Sequence, residues 1–92
     1  MKNYTYKATI AVATVLEHPL VPKGRHRHQL DFGGTTGTVA VEVDFGTGYR
    51  LITTVELTET ARVPFCIEAD VEKFRLTPSA SRDMAYFVNE VD

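Results

Sequence analysis

Only one cysteine, Cys66, occurs in the 92 residues, so no disulfide can form within the chain. Secreted domains of this size often depend on such staples. Their absence favours a reducing compartment, or extra stability gained by self-association or docking. Long apolar runs are missing as well: no segment approaches the roughly 20 apolar residues of a membrane-spanning helix. The first residues, Met1 to Lys7, do not have the layout of a signal peptide. No secretion route is visible, and synthesis in the cytoplasm is the expectation. There is no low-complexity segment and no apolar stripe of period 3.6, which argues against helices of any length. A net charge of −2 gives no general attraction to nucleic acid or anionic lipid, although a local basic patch is compatible with it.

What remains is 43% hydrophobic and 24% charged, and rich in β-branched and aromatic residues, which suits one small folded domain spanning residues 1–92 and rules out disorder. A chain this short buries only roughly 60–65% of the surface its unfolded form exposes, so its core is thin. The organising stretch is Gly37 to Leu57. Val39, Val41, Val43 and Phe45 fall on alternate positions, as do Tyr49, Leu51, Thr53, Val55 and Leu57. Gly46-Thr47-Gly48 joins the two runs. Period-two alternation on either side of a short glycine turn predicts a β-hairpin.

The same rhythm extends along the chain. Tyr6 to Leu16 reads as one long first strand, broken by Glu17-His18-Pro19-Leu20 and the turn Val21-Pro22-Lys23-Gly24. Arg25 to Phe32 follows, with His26, His28, Leu30 and Phe32 on one face. Ala61 to Ala69 forms a fifth strand with Val63, Phe65, Ile67 and Ala69 inward. Pro64 cannot donate to a ladder and places that strand at an edge, or residue 64 at a bulge. Glu72 to Thr77 makes a sixth strand, residues 77–82 a loop, and Asp83 to Val91 a seventh strand that is apolar on both faces. A strand of that kind is covered on both sides, in the middle of the fold or at a subunit contact. Seven short strands and no helix predict an all-β antiparallel sandwich, with a small barrel as the alternative.

Motifs for chemistry are weak. His26 and His28 project from one strand face, a spacing that metal sites use, and His18 or Asp31 could complete a set of three ligands. The bland alternative is two partly buried, hydrogen-bonded histidines. Lys23, Arg25 and Arg27 make a short basic row on the opposite face, either an anion contact or a solvated row of charge. Cys66 lies between Phe65 and Ile67 without the cationic setting of a nucleophile and reads as a packing residue. The glycine pairs neither open a helix nor end in Lys-Ser, so they are turns and not phosphate loops. No calcium loop is present. No cofactor is expected. The stronger clue is apolar residues at nominally outward positions: Ala11, Ala13, Val15, Ala40, Ile52, Pro64, Cys66 and one face of the last strand. If some coincide in space, they form a patch that prefers protein to water. Ile52, Cys66, Phe87 and Val91 are the candidate interface residues.

The run Phe32-Gly33-Gly34-Thr35-Thr36-Gly37-Thr38, the Gly48-Tyr49-Arg50-Leu51 start of the next strand, and Phe74-Arg75-Leu76-Thr77-Pro78-Ser79 before the closing strand resemble the small all-β auxiliary proteins of tailed-bacteriophage virions, the decoration and fibre-type domains. The resemblance implies a non-enzymatic protein that oligomerises, often as a trimer, and docks on a capsid, tail or fibre after synthesis in the host cytoplasm. It brings no catalytic residues, and no recognisable anchor peptide accompanies it here. The alternative function is a small carbohydrate- or metal-binding module built on His26 and His28. A cupin-like enzyme would need further ligands converging on the same pair.

Overall fold

A computed structural model describes residues 4–34, 36–58 and 64–91, within which eight strands follow one another: β1 (Tyr4–Ile10), β2 (Thr14–Leu16), β3 (Arg25–Phe32), β4 (Gly37–Asp44), β5 (Tyr49–Leu57), β6 (Phe65–Asp70), β7 (Lys73–Pro78) and β8 (Arg82–Glu90). They form two four-stranded antiparallel sheets, ordered β1-β8-β3-β6 and β2-β7-β4-β5. The expected sandwich is the fold. Its core lies between the sheets, where Ile10, Leu30, Phe32, Met84, Tyr86 and Val88 of the first meet Leu16, Val39, Val41, Val43, Phe74 and Leu76 of the second. Full burial of such side chains contributes roughly 1.5–3 kcal/mol each.

The count rises from seven strands to eight because the long first strand is two. β1 pairs with β8 in one sheet and β2 with β7 in the other, and Ala11-Val12-Ala13 carries the chain between them. Ile10 and Leu16 both point into the core, so the alternation survives the crossing and conceals it. Val12, at the crossing, is 72% exposed.

The central hairpin forms with two changes. Phe45 is exposed, because β4 ends at Asp44, whose Oδ1 accepts the Gly46 and Gly48 amides at 2.6 and 3.1 Å and starts the turn. Gly46 and Gly48 occupy φ values of +111° and +107°, which side chains other than glycine rarely adopt. Within β5 the register shifts: Val41 faces Thr53 while Glu42 faces Leu51, so Ile52 is an extra residue. A bulge of this kind reverses the alternation beyond it. Thr53, Val55 and Leu57 therefore keep the inward face, and Leu51, expected with them, stands 62% exposed on the outer one. Pro64 immediately precedes β6, which is an edge strand as expected. Val63 lies outside the described residues. β8, apolar on both faces, sits between β1 and β3.

Candidate functional site

His26 and His28 point into the sandwich from β3, at the end of the core nearer the β2–β3 turn. His26 Nδ1 is 3.0 Å from the Gly24 carbonyl oxygen, and His28 Nδ1 is 2.7 Å from the Tyr86 hydroxyl. The His28 ring lies parallel to Tyr86 at 5.9 Å between centroids and edge-on to Phe74 at 5.4 Å. Burial is the main force on its charge. It pushes the imidazole down to about 4, with the neighbouring His26 acting the same way and the Ala69 backbone and Asp70 opposing. The two rings are 6.3 Å apart, and among the described residues no group of three or more His, Cys, Asp or Glu gathers as a metal set. The arrangement is that of packed core rings.

Arg25 and Arg27, on the opposite face of β3, both reach Glu68 of β6, at 2.9 and 3.3 Å. Their hydrogen bonds, that from Arg25 foremost, hold the Glu68 carboxyl below its ordinary range. Arg25 and Arg27, two of the row's three cations, are therefore paired within the sheet.

The four candidate interface residues do not form one patch. Phe87 and Cys66 lie on the outer face of the first sheet, in one cross-strand row with Gln29 between them. Val91 follows β8. Ile52 belongs to the other sheet, at its β5 edge, and is 40% exposed. The outer face of that second sheet carries the row Val15–Arg75–Glu42–Leu51, with apolar ends and a charged middle. Arg75 grips Glu42 through two bonds of 2.9 and 2.7 Å, and its guanidinium stacks 4.1 Å from the Tyr49 ring centre. Those bonds hold the Glu42 carboxyl below its ordinary range and raise Arg75. Lys73 bridges the same ring at 5.4 Å and Asp44 at 4.0 Å.

The exposed edges of the first sheet, β1 and β6, differ in charge. The outward positions of β1 are Thr5, Lys7 and Thr9, and those of β6 are Cys66, Glu68 and Asp70. On their inner sides Tyr6, Ala8 and Ile10 and, opposite, Phe65, Ile67 and Ala69 extend the core. A shallow groove of about 660 Å³ runs beside β1, bounded by Lys7, Thr9, Asp31, Asp83 and Pro64.

Arg82, which the small polar residues around it assign to a loop, is instead the first residue of β8 and points inward. The signal that could have placed it is the alternation of Met84, Tyr86 and Val88 continued one step back.

No protein-family model matches the chain, and no curated protein does. Among solved structures it is similar to the Yersinia pseudotuberculosis-derived mitogen, at 10% identity over 99% of this chain and 87% of that one, with a TM-score of 0.52. It is also similar to a subunit of Bacillus endospore appendages, which form a family of disulfide-linked pili, at 10% identity over 94% of this chain and 85% of that one, with a TM-score of 0.53. At such identity the shared property is the β-sandwich fold.

Proposed function

We propose that this chain is a non-catalytic structural subunit that assembles with copies of itself through the edges of its first sheet. One observation carries the reading. Three antiparallel pairings separate β1 from β6, so the two edges run in opposite directions. A copy shifted by one sheet width therefore brings its β6 beside β1 in antiparallel sense, with both inner faces on the same side. In the register that sets Lys7 opposite Glu68, Ala8 meets Ile67, Ile10 meets Phe65 and Tyr6 meets Ala69. Each junction extends the hydrogen-bonded ladder that an edge otherwise offers to water. Four strands make a step of about 19 Å, and strand twist turns each copy relative to the last, so the addition winds into an open fibre. The fold shared with a pilus subunit supports the same kind of role. The capsid or tail implied by the phage resemblance is the larger structure we assign as its docking partner, which makes the virion its destination.

Light scattering over a range of concentrations tests this. The expected result is a mass that grows with concentration, with the Lys7→Glu chain and the Glu68→Lys chain each assembling at least about tenfold more weakly, the loss of roughly one exposed-to-buried ion pair. Mixing the two variants should restore growth at their shared junction. A constant monomer mass overturns the proposal. A fixed mass of three overturns the open-ended geometry in favour of a closed trimer.

A further inference from the structure

We propose that Arg82 and Ser79 form a binding site for a carboxylate or phosphate group at the end of the sandwich, under the β3–β4 and β7–β8 turns. Arg82 is 5% exposed. Its Nε donates to the Ala80 carbonyl at 3.2 Å, while Nη1 is buried and finds no acceptor among the described residues. None of the ion pairs among the described residues includes it. A guanidinium does not shed its proton in a protein, so this one carries its charge into the interior with no counterion among the described residues. Folded proteins seldom leave such a group unmatched, and a bound anion would supply the missing partner.

The Gly37 α-carbon faces the guanidinium so closely that a side chain there would collide with Arg82, and Ser79 Oγ lies 2.9 Å from the same point. Glycine at this position gives the guanidinium the space a side chain would take, close to the serine hydroxyl. Ser79 Oγ accepts the Thr38 amide at 2.9 Å, which leaves its own hydrogen for another acceptor. Gly34 approaches from the other side, where an added Cβ would sit 3.4 Å from Arg82 Cβ. The neighbouring carboxylate, Asp83, points to the outer face and accepts from Thr9 at 3.0 Å. Arg82 and Ser79 thus bring donors together, and among the described residues no acid pairs with the guanidinium. A guanidinium fork matches two oxygens of one planar or tetrahedral oxyanion, and the serine hydroxyl supplies a third bond.

Such a group can arrive as a free ion or as an acidic side chain of a neighbouring copy, and two measurements separate them. Phosphate and acetate are titrated into dilute ¹⁵N-labelled protein at constant ionic strength against chloride, following the Arg82 Nε–H, Thr38 and Ser79 resonances. Saturable shifts with phosphate or acetate and none with chloride support a free-ion site. If the neighbour's carboxylate pairs with Arg82 instead, wild-type assemblies should lose mass when phosphate is added, and Arg82→Met should assemble more weakly without phosphate. In either case Ser79→Ala should bind at least about tenfold more weakly, Arg82→Lys should weaken binding by losing the fork, and Arg82→Met should not bind. The proposal is overturned if the wild type shows neither saturable shifts nor a phosphate-sensitive mass, or if Arg82→Met responds as the wild type does.

Discussion

His28 and Arg82 are both basic, both inward-facing and both almost wholly buried, and the fold treats them by opposite means. His28 lies deep between the sheets, against Tyr86 and Phe74, and surrenders its charge: burial drives its imidazole down to about 4, so at neutral pH it is a polar ring in an apolar stack. Arg82 lies at the end of the sandwich and cannot surrender its charge. The first residue can be buried by chemistry internal to the chain. The second needs something from outside it. The histidines, which look like ligands in the sequence, thus sit as rings packed into the core. The arginine, which looks like a loop residue, is the better candidate for recognition.

Acid offers the most forceful way to erase the difference, because it charges His28 as well. Its folded pKa of about 4 lies below the ordinary 6.5. The unfolded chain therefore takes the proton first. The stabilisation from a neutral His28 is complete above pH 6.5 and is lost as pH falls from 6.5 through 4. At 1.36 kcal/mol per pKa unit this amounts to about 3 kcal/mol. Glu42, Asp44 and Glu68, all held below their ordinary range, add losses of the same sign at lower pH. Urea unfolding at intervals between pH 7 and 4 should show this slope, and His28→Phe, which keeps a ring but cannot titrate, should flatten the upper part of it. Equal slopes in the two proteins would refute the burial account.

A smaller effect is expected from Tyr86→Phe. The change leaves the ring stack in place and removes the hydroxyl bonded to His28 Nδ1. Nδ1 then loses its partner, and the Ala69 backbone is left as the ring's remaining hydrogen-bonding support. The expected cost is about 1–3 kcal/mol at pH 7, the usual penalty for an orphaned buried polar group. Denaturant midpoints measure it, and a loss below about 0.5 kcal/mol would mean that the bond matters little to the neutral ring.

The inward parity of His26, His28, Leu30 and Phe32 is visible in β3 because alternation is a property of one strand. So is the hairpin, with its glycine turn, and so is the double-sided β8. Features that depend on a second strand are not visible. The bulge at Ile52 is defined by how β5 meets β4, and nothing in Leu51-Ile52-Thr53 announces that the register slips there. The crossing at residues 11–13 keeps Ile10 and Leu16 in phase, so one uninterrupted rhythm spans two sheets. The partner of His28 is 58 residues away in the chain. Arg82 was hidden by its neighbours: Ser79-Ala80-Ser81 reads as a turn, and a charged residue beginning a strand reads as solvent-facing until the core behind it is known.

The gentlest change is expected to be the most discriminating. Arg82→Met removes a charge that the interior leaves unpaired and fills similar space with an apolar chain, while giving up one bond to the Ala80 carbonyl. Exchanging buried ionic groups for apolar ones of similar volume is commonly neutral or stabilising. In buffer free of phosphate and carboxylates the variant should therefore match the wild type within about 1 kcal/mol or exceed it. Adding phosphate should then raise the stability of the wild type above that of the variant, because a ligand that binds only the folded state stabilises it in proportion to its concentration. Thermal unfolding of both proteins with and without phosphate measures the crossing. Were Arg82→Met to lose more than about 2 kcal/mol in anion-free buffer, the guanidinium would be serving the fold itself. Its burial would then be of the same kind as that of His28.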